Sequence, residues 1–144
     1  MPRMIFVNLP VAGVARATAF YAALGFEKNE QFSNEQGAAM RWSEAVNVML
    51  LSHDLFASFT PKRIIDPFQE TGALLALSFD TRDDVDAITQ AAIAAGGREL
   101  HEPEDLGFMY SRAFEDLDGH GWGPFSMAAT DHAAAAEQST AERA

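Results

Sequence analysis

The segments FVNLPV at residues 6–11 and LLALSF at residues 74–79 each open the same pattern in this chain of 144 residues. An apolar strand leads through a turn into an amphipathic helix, and a glycine, Gly25 in one copy and Gly96 in the other, stops the helix. A solenoid needs three or more repeats. Two copies therefore predict one domain built from two related modules, with a cleft between them.

Hydrophobic periodicity predicts the order strand, helix and three strands in each module, which makes eight strands in an α+β fold. The helices are expected at residues 14–24 and 82–95. Residues 1–128 are predicted to form a single domain. Its parts are a first module at 4–52, a connector at 53–71 and a second module at 72–128, followed by a flexible, alanine-rich tail at 129–144.

Composition limits the possible partners of the chain. The formal net charge is -11 and the sequence pI is about 4.6, so nucleic acid and anionic membranes would be repelled. The absence of cysteine removes disulfides and thiolate sites and is compatible with a reducing compartment. Residues 1–8 lack the apolar stretch of a signal peptide, and no run reaches the roughly 18 apolar residues of a membrane span. We expect a cytoplasmic protein.

Two further segments carry a family resemblance. The helix end FYAALGF at residues 20–26 and the turn FEDLDGH at residues 114–120 lie near the two ends of the two-module pattern. With the repeated unit, they resemble the glyoxalase/bleomycin-resistance/dioxygenase superfamily, the vicinal oxygen chelate proteins, over about residues 4–127. The resemblance implies two βαβββ modules whose curled mixed sheets form a cleft, and it implies a homodimer of chains paired edge to edge.

Many relatives hold a divalent metal in this cleft, with ligands on the first and last strands of each module. The resemblance carries those positions to Phe6 and Leu50 in the first module and to Leu74 and Gly123 in the second. Metal ions of this kind need carboxylate oxygen or imidazole nitrogen, which none of these side chains provides. We therefore expect neither the family's metal centre nor any other cofactor.

Because the four positions of the family's metal ligands hold residues without a metal-binding side chain, we expect a mostly apolar cleft. Strand alternation adds Asn8 and Phe125 to the face of Phe6, Leu50, Leu74 and Gly123, and such walls suit a small, partly apolar organic molecule. Tyr110 and Arg112 share a face of their strand. They either hold an anionic or carbonyl-bearing ligand or pair with acidic residues on an outer face, and the sequence leaves both possibilities open.

No nucleophile motif, cysteine or glycine-rich phosphate loop occurs in the chain, so we expect binding rather than catalysis. The leading hypothesis is a metal-free binding module. One alternative is a metal-dependent lyase, similar to lactoylglutathione lyase, or a ring-cleaving dioxygenase, with a site rebuilt from His53, His101 or Glu44. Another is a structural or regulatory dimer that binds no small ligand.

Overall fold

The computed structural model describes residues 3–128, and the predicted tail at 129–144 lies outside the described residues. The first module comprises β1 (Ile5–Val11), α1 (Val14–Ala23), β2 (Glu27–Asn29), a 3₁₀ helix (Glu30–Phe32), β3 (Gly37–Arg41) and β4 (Val46–Ser52). A short helix, α2 (His53–Ala57), follows it. The second module comprises β5 (Leu74–Phe79), α3 (Arg82–Ala94), β6 (Arg98–Glu99), β7 (Glu104–Asp105), β8 (Met109–Ser111), β9 (Phe114–Glu115) and β10 (Gly121–Met127).

The two modules share one topology. In the first sheet β1 runs parallel to β4, and β3 and β2 continue the sheet in antiparallel order. In the second sheet β5 runs parallel to β10, which also pairs antiparallel with β8 and β9. A parallel first and last strand with a helical crossover is the repeat that the sequence predicted. The α+β class and the two related modules are therefore confirmed.

Local chemistry sets the helix ends close to the predicted positions. The hydroxyl of Thr81 accepts a hydrogen bond from the backbone N–H of Asp84 at 3.1 Å and caps the start of α3. Gly25 and Gly96 both have φ of 105°, a left-handed conformation that glycine adopts without a steric penalty. Both helices consequently end two residues before these glycines.

The structure has ten strands in its described part where the sequence predicted eight. The predicted strand at 108–115 is divided into β8 and β9, although both pair with β10 in one register. Pro124 stands opposite Arg112 at the break and has no N–H to donate, so the ladder loses a bond there. In the first module, Glu30–Phe32 turns into a 3₁₀ helix because the Asn29 side chain accepts from the Gln31 N–H.

One hydrophobic core joins the two modules. Tyr21 and Phe26 at the end of the α1 segment make edge-on contacts with Trp122 of β10, at ring-centroid distances of 5.8 Å in both pairs. Trp42 then links Phe26 to Phe79 of β5. The helix-side faces of both sheets therefore share this core, and Trp122 is buried within it.

The opposite face of each sheet, here called the outer face, is exposed to solvent at its edge strand, β1 or β5. Phe6 on the first outer face is 53% exposed, and Leu74 on the second is 73% exposed. Leu50 does not share this orientation. It pairs with Leu9, lies on the helix side and is fully buried, whereas Phe6 pairs with Asn47. The prediction that Leu50 lies on the face of Phe6 and Asn8 is therefore wrong.

Candidate ligand-binding site

A cavity of about 440 Å³ lies where the two modules and the connector meet. Its floor is the edge strand β1, with Leu75 of β5 and Gly121 of β10 on the side of the second module. Residues between Thr60 and Ala73 line the rest. Small-molecule pockets in proteins have volumes of roughly 300 to 1,000 Å³, so this inter-module cavity has the size of a ligand site.

The connector over the cavity is held by packing. Within the described residues, the hydrogen bonds of 61–72 join only residues between 60 and 73, as in the Phe68 N–H to Asp66 bond at 3.1 Å. The connector closely approaches the second module at Gly119, where an added Cβ would lie 2.8 Å from the backbone nitrogen of Phe68. Glycine is thus required at this turn for the connector to approach.

Apolar side chains form most of the cavity wall, among them Leu9, Phe56 and Ile64. The polar lining comes from Asn8 on β1, His120 beside β10 and several connector residues. The Asn8 side chain forms no hydrogen bond within residues 3–128, so its amide is available to a ligand. A site of this composition binds a molecule with an apolar body and a few hydrogen-bonding groups.

The turn before β10 is fastened to the end of β1. The imidazole Nε2–H of His120 donates to the carbonyl of Pro10 at 2.7 Å, and the Ala12 N–H donates to Asp118 Oδ1 at 2.9 Å. Asp116 Oδ1 accepts from the backbone N–H groups of Asp118 and His120, both at 2.9 Å. These bonds fix the wall of the cavity that His120 and Gly121 provide.

Beneath this turn, a buried polar network connects α1 to β10. The Tyr21 hydroxyl donates to Asp116 Oδ2 at 2.5 Å and accepts from the Trp122 indole N–H at 2.9 Å. Burial raises the pKa of the Tyr21 phenol well above its usual value, and the neighbouring Asp116 carboxylate raises it further. Burial likewise raises the pKa of Asp116, against the lowering effects of His120 and Tyr21. The network therefore keeps Tyr21 protonated as a donor.

Tyr110 and Arg112 lie away from the cavity, on the side of α3. Arg112 is buried and binds Glu99 Oε2 through Nη2 at 2.6 Å and Asp86 Oδ1 through Nη1 at 3.0 Å. Burial opposes its charge, but the hydrogen bonds that Arg112 donates to Glu99 and Asp86 raise its pKa overall. The Tyr110 hydroxyl donates to Asp86 at 2.6 Å. This geometry favours the second possibility left open by the sequence, pairing with acidic residues.

The sequence candidates are thus distributed over three places. Asn8 lines the inter-module cavity, whereas Phe6, Leu74, Gly123 and Phe125 lie on the outer faces and do not line it. Leu50 is in the core, and Tyr110 and Arg112 are in the ion-paired cluster. The sequence reasoning missed His120 as a lining residue and the whole connector, because it assigned the connector no role beyond linking the modules.

The described residues do not fit the metal centre of the family. Phe6 and Leu74 have hydrocarbon side chains, Gly123 has none, and Leu50 is buried on the wrong face. Across residues 3–128, no three His, Asp or Glu side chains are grouped so that they could hold a metal ion. The alternative donors His53, His101 and Glu44 therefore do not form such a group either.

Comparison with known proteins identifies the family to which this chain belongs. The family model of the glyoxalase/bleomycin resistance protein/dioxygenase superfamily matches residues 3–123, so the chain belongs to this superfamily. A comparison with curated proteins finds no match. Within residues 3–128, no helix is both long enough and apolar enough to cross a membrane.

Several solved structures share the fold. The chain is 24% identical to a hypothetical protein from S. aureus, with a TM-score of 0.75 over 88% of this chain and 95% of the other. A glyoxalase/bleomycin resistance protein/dioxygenase family enzyme from Burkholderia phytofirmans PsJN is 20% identical, with a TM-score of 0.71 over 88% and 99%. A fosfomycin resistance protein from Listeria monocytogenes is 18% identical, with a TM-score of 0.64 over 91% and 98%. At these sequence identities, the similarity shows a shared fold alone.

Proposed function

We propose that this protein is a cytoplasmic, metal-free member of its superfamily that binds a small, partly apolar molecule in the inter-module cavity. The observation that carries the proposal is the cavity itself, about 440 Å³ in volume, with mostly apolar walls and the free amide of Asn8. Transfer of an apolar ligand surface from water contributes roughly 25 cal/mol per Å² to binding. The Asn8 amide would then orient the polar end of the ligand.

Two glycines allow a direct test of where the ligand binds. An added Cβ at Gly72 would meet only Ile65 Cδ1, at 3.8 Å, and both residues line the cavity. An added Cβ at Gly123 would meet only the Arg112 carbonyl, also at 3.8 Å, on the second outer face. Both positions therefore accept a side chain without backbone strain. Gly72→Leu fills the cavity, whereas Gly123→Leu fills the outer face.

We expect the fluorescent probe N-phenyl-1-naphthylamine, a small neutral amphiphile, to bind the parent protein with one site per chain. Gly72→Leu should weaken this binding about 5-fold to 150-fold, because overpacking of a filled site costs about 1 to 3 kcal/mol. Gly123→Leu should bind as the parent does. If Gly123→Leu weakened binding and Gly72→Leu did not, the ligand site would lie on the outer face. The ligand would then contact the residues predicted from the sequence, Phe6, Leu74, Gly123 and Phe125.

We also propose a homodimer whose contact covers the outer faces. Phe6 and Leu74 lie on β1 and β5, which are both at sheet edges, and their exposure leaves apolar surface open to a partner. Pairing of chains is frequent in this superfamily. A second copy would bury these side chains and close the two outer faces.

Sedimentation velocity should show a dimer for the parent and a monomer for Leu74→Asp, because a carboxylate in the contact would be buried without a partner. Leu106→Asp is the matched control. Leu106 is also exposed, at 52%, but it lies in the loop between β7 and β8. A parent that sediments as a monomer at micromolar concentration, or a Leu74→Asp variant that stays dimeric, would contradict this arrangement.

A further inference from the structure

Two adjacent cations line the inter-module cavity, Lys62 and Arg63 of the connector. Among the other described cations, Lys28, Arg82, Arg98 and Arg112 each form an ion pair with a carboxylate, whereas Arg3, Arg16 and Arg41 form none within residues 3–128. Lys62 and Arg63 form none within residues 3–128, although the chain has a net charge of -11. On an acidic protein, two cations without a carboxylate partner attract an anion locally.

We propose that the ligand of this cavity is an amphipathic monoanion, an apolar body that carries one carboxylate, with the carboxylate held by Lys62 and Arg63. The inference rests on the proposed binding function and specifies the chemical class of the ligand. The apolar body would lie against Leu9, Phe56 and Ile64, and the carboxylate would lie at Lys62 and Arg63. The Asn8 amide supplies a neutral donor that a carboxylate oxygen can accept from.

The net charge of the cavity lining favours a ligand with a single negative charge. Glu70 also lines the cavity and offsets one of the two cations, which leaves an excess of one positive charge. A second anionic group would face Glu70 without a cation to match it, or would enter the apolar part of the cavity, where an unpaired charge is costly. A cationic amphiphile would be repelled by the connector pair.

Three ligands with the same eight-carbon chain isolate the contribution of the head group. Octanoate, octan-1-ol and octylammonium would each be titrated into the full chain and followed by calorimetry. The Asn8 and Gly72 amide NMR signals would report the location. We expect octanoate to bind about tenfold more tightly than octan-1-ol, since each partly exposed ion pair contributes about 0.2 to 1 kcal/mol. Octylammonium should bind more weakly than octan-1-ol.

The ratio of octanoate to octan-1-ol affinity should fall to near one in a Lys62→Gln/Arg63→Gln double variant. It should also fall in the parent at about 1 M salt, where the Debye length is about 3 Å. Arg16→Gln/Arg41→Gln is the charge-matched control, since Arg16 on α1 and Arg41 on β3 are exposed cations outside the cavity lining, and it should keep the parent ratio.

Equal affinity of the parent for octanoate and octan-1-ol would overturn the monoanion inference and leave the proposed binding function standing. A preference for octanoate that survives in the double variant would also overturn it, because the carboxylate would then be held elsewhere. Failure of octanoate, octan-1-ol and N-phenyl-1-naphthylamine to bind at all would overturn both the inference and the proposed function.

Discussion

Replacing Tyr21 with phenylalanine should lower the free energy of unfolding by about 2 to 6 kcal/mol, out of a total of about 5 to 15 kcal/mol for a domain of this size. The ring would keep its edge-on contacts with Phe20 and Phe26. The lost hydroxyl, however, would leave Asp116 Oδ2 without its donor and the Trp122 indole N–H without its acceptor, both buried. Each unpaired buried group costs about 1 to 3 kcal/mol. Urea denaturation followed by tryptophan fluorescence measures the change.

Tyr110→Phe is the matched control for this prediction. Its hydroxyl also donates to an aspartate, but Asp86 is 45% exposed at its side chain and keeps its bond to Arg112. Water can replace the lost partner there, so we expect a cost below about 1 kcal/mol. If Tyr21→Phe cost no more than Tyr110→Phe, the buried network would not be what joins α1 to β10.

The architecture of the two modules could be predicted from the sequence because it depends on local patterns. The strand–helix periodicity and the glycines at 25 and 96 determine each module, and the structure has both glycines at left-handed φ. These features need only the side-chain period of one element at a time.

The orientation of Leu50 could not be predicted in the same way, because it depends on the register between two strands. Phe6 pairs with Asn47, so even-numbered residues of β1 share a face with odd-numbered residues of β4. In the second sheet Leu74 pairs with Gly121, which agrees with the predicted common face of Leu74 and Gly123. A shift of one residue in register exchanges the two faces of a strand.

The part of the cavity that the connector lines could not be predicted from the sequence, for a different reason. Residues 60–73 have no periodicity, so no face could be assigned to them, and their position depends on packing against a distant turn. The contact of Phe68 with Gly119 joins residues 51 positions apart (119 minus 68). Gly119 could be read as a turn residue, but its role as the docking point of the connector requires the structure.

Gly119→Ala should destabilise the protein by about 2 to 4 kcal/mol and loosen the connector over the cavity. Gly119 has φ of 93°, where a residue with a Cβ is strained by about 1 to 2 kcal/mol. The new Cβ would also lie 2.8 Å from the Phe68 nitrogen and 2.9 Å from the Pro67 carbonyl carbon, so the connector backbone must shift. We expect weaker binding of N-phenyl-1-naphthylamine and faster tryptic cleavage after Lys62 and Arg63.

Gly107→Ala separates the backbone strain from the clash. Gly107 has φ of 85°, yet an added Cβ there would meet no atom within 4 Å. This control should therefore cost about 1 to 2 kcal/mol through the strain alone and leave the rate of tryptic cleavage and the probe affinity at parental values. The difference between the two variants measures the contact between the connector and the turn. Equal losses in both, with the connector cleaved at the parental rate, would mean that Gly119 does not hold the connector over the cavity.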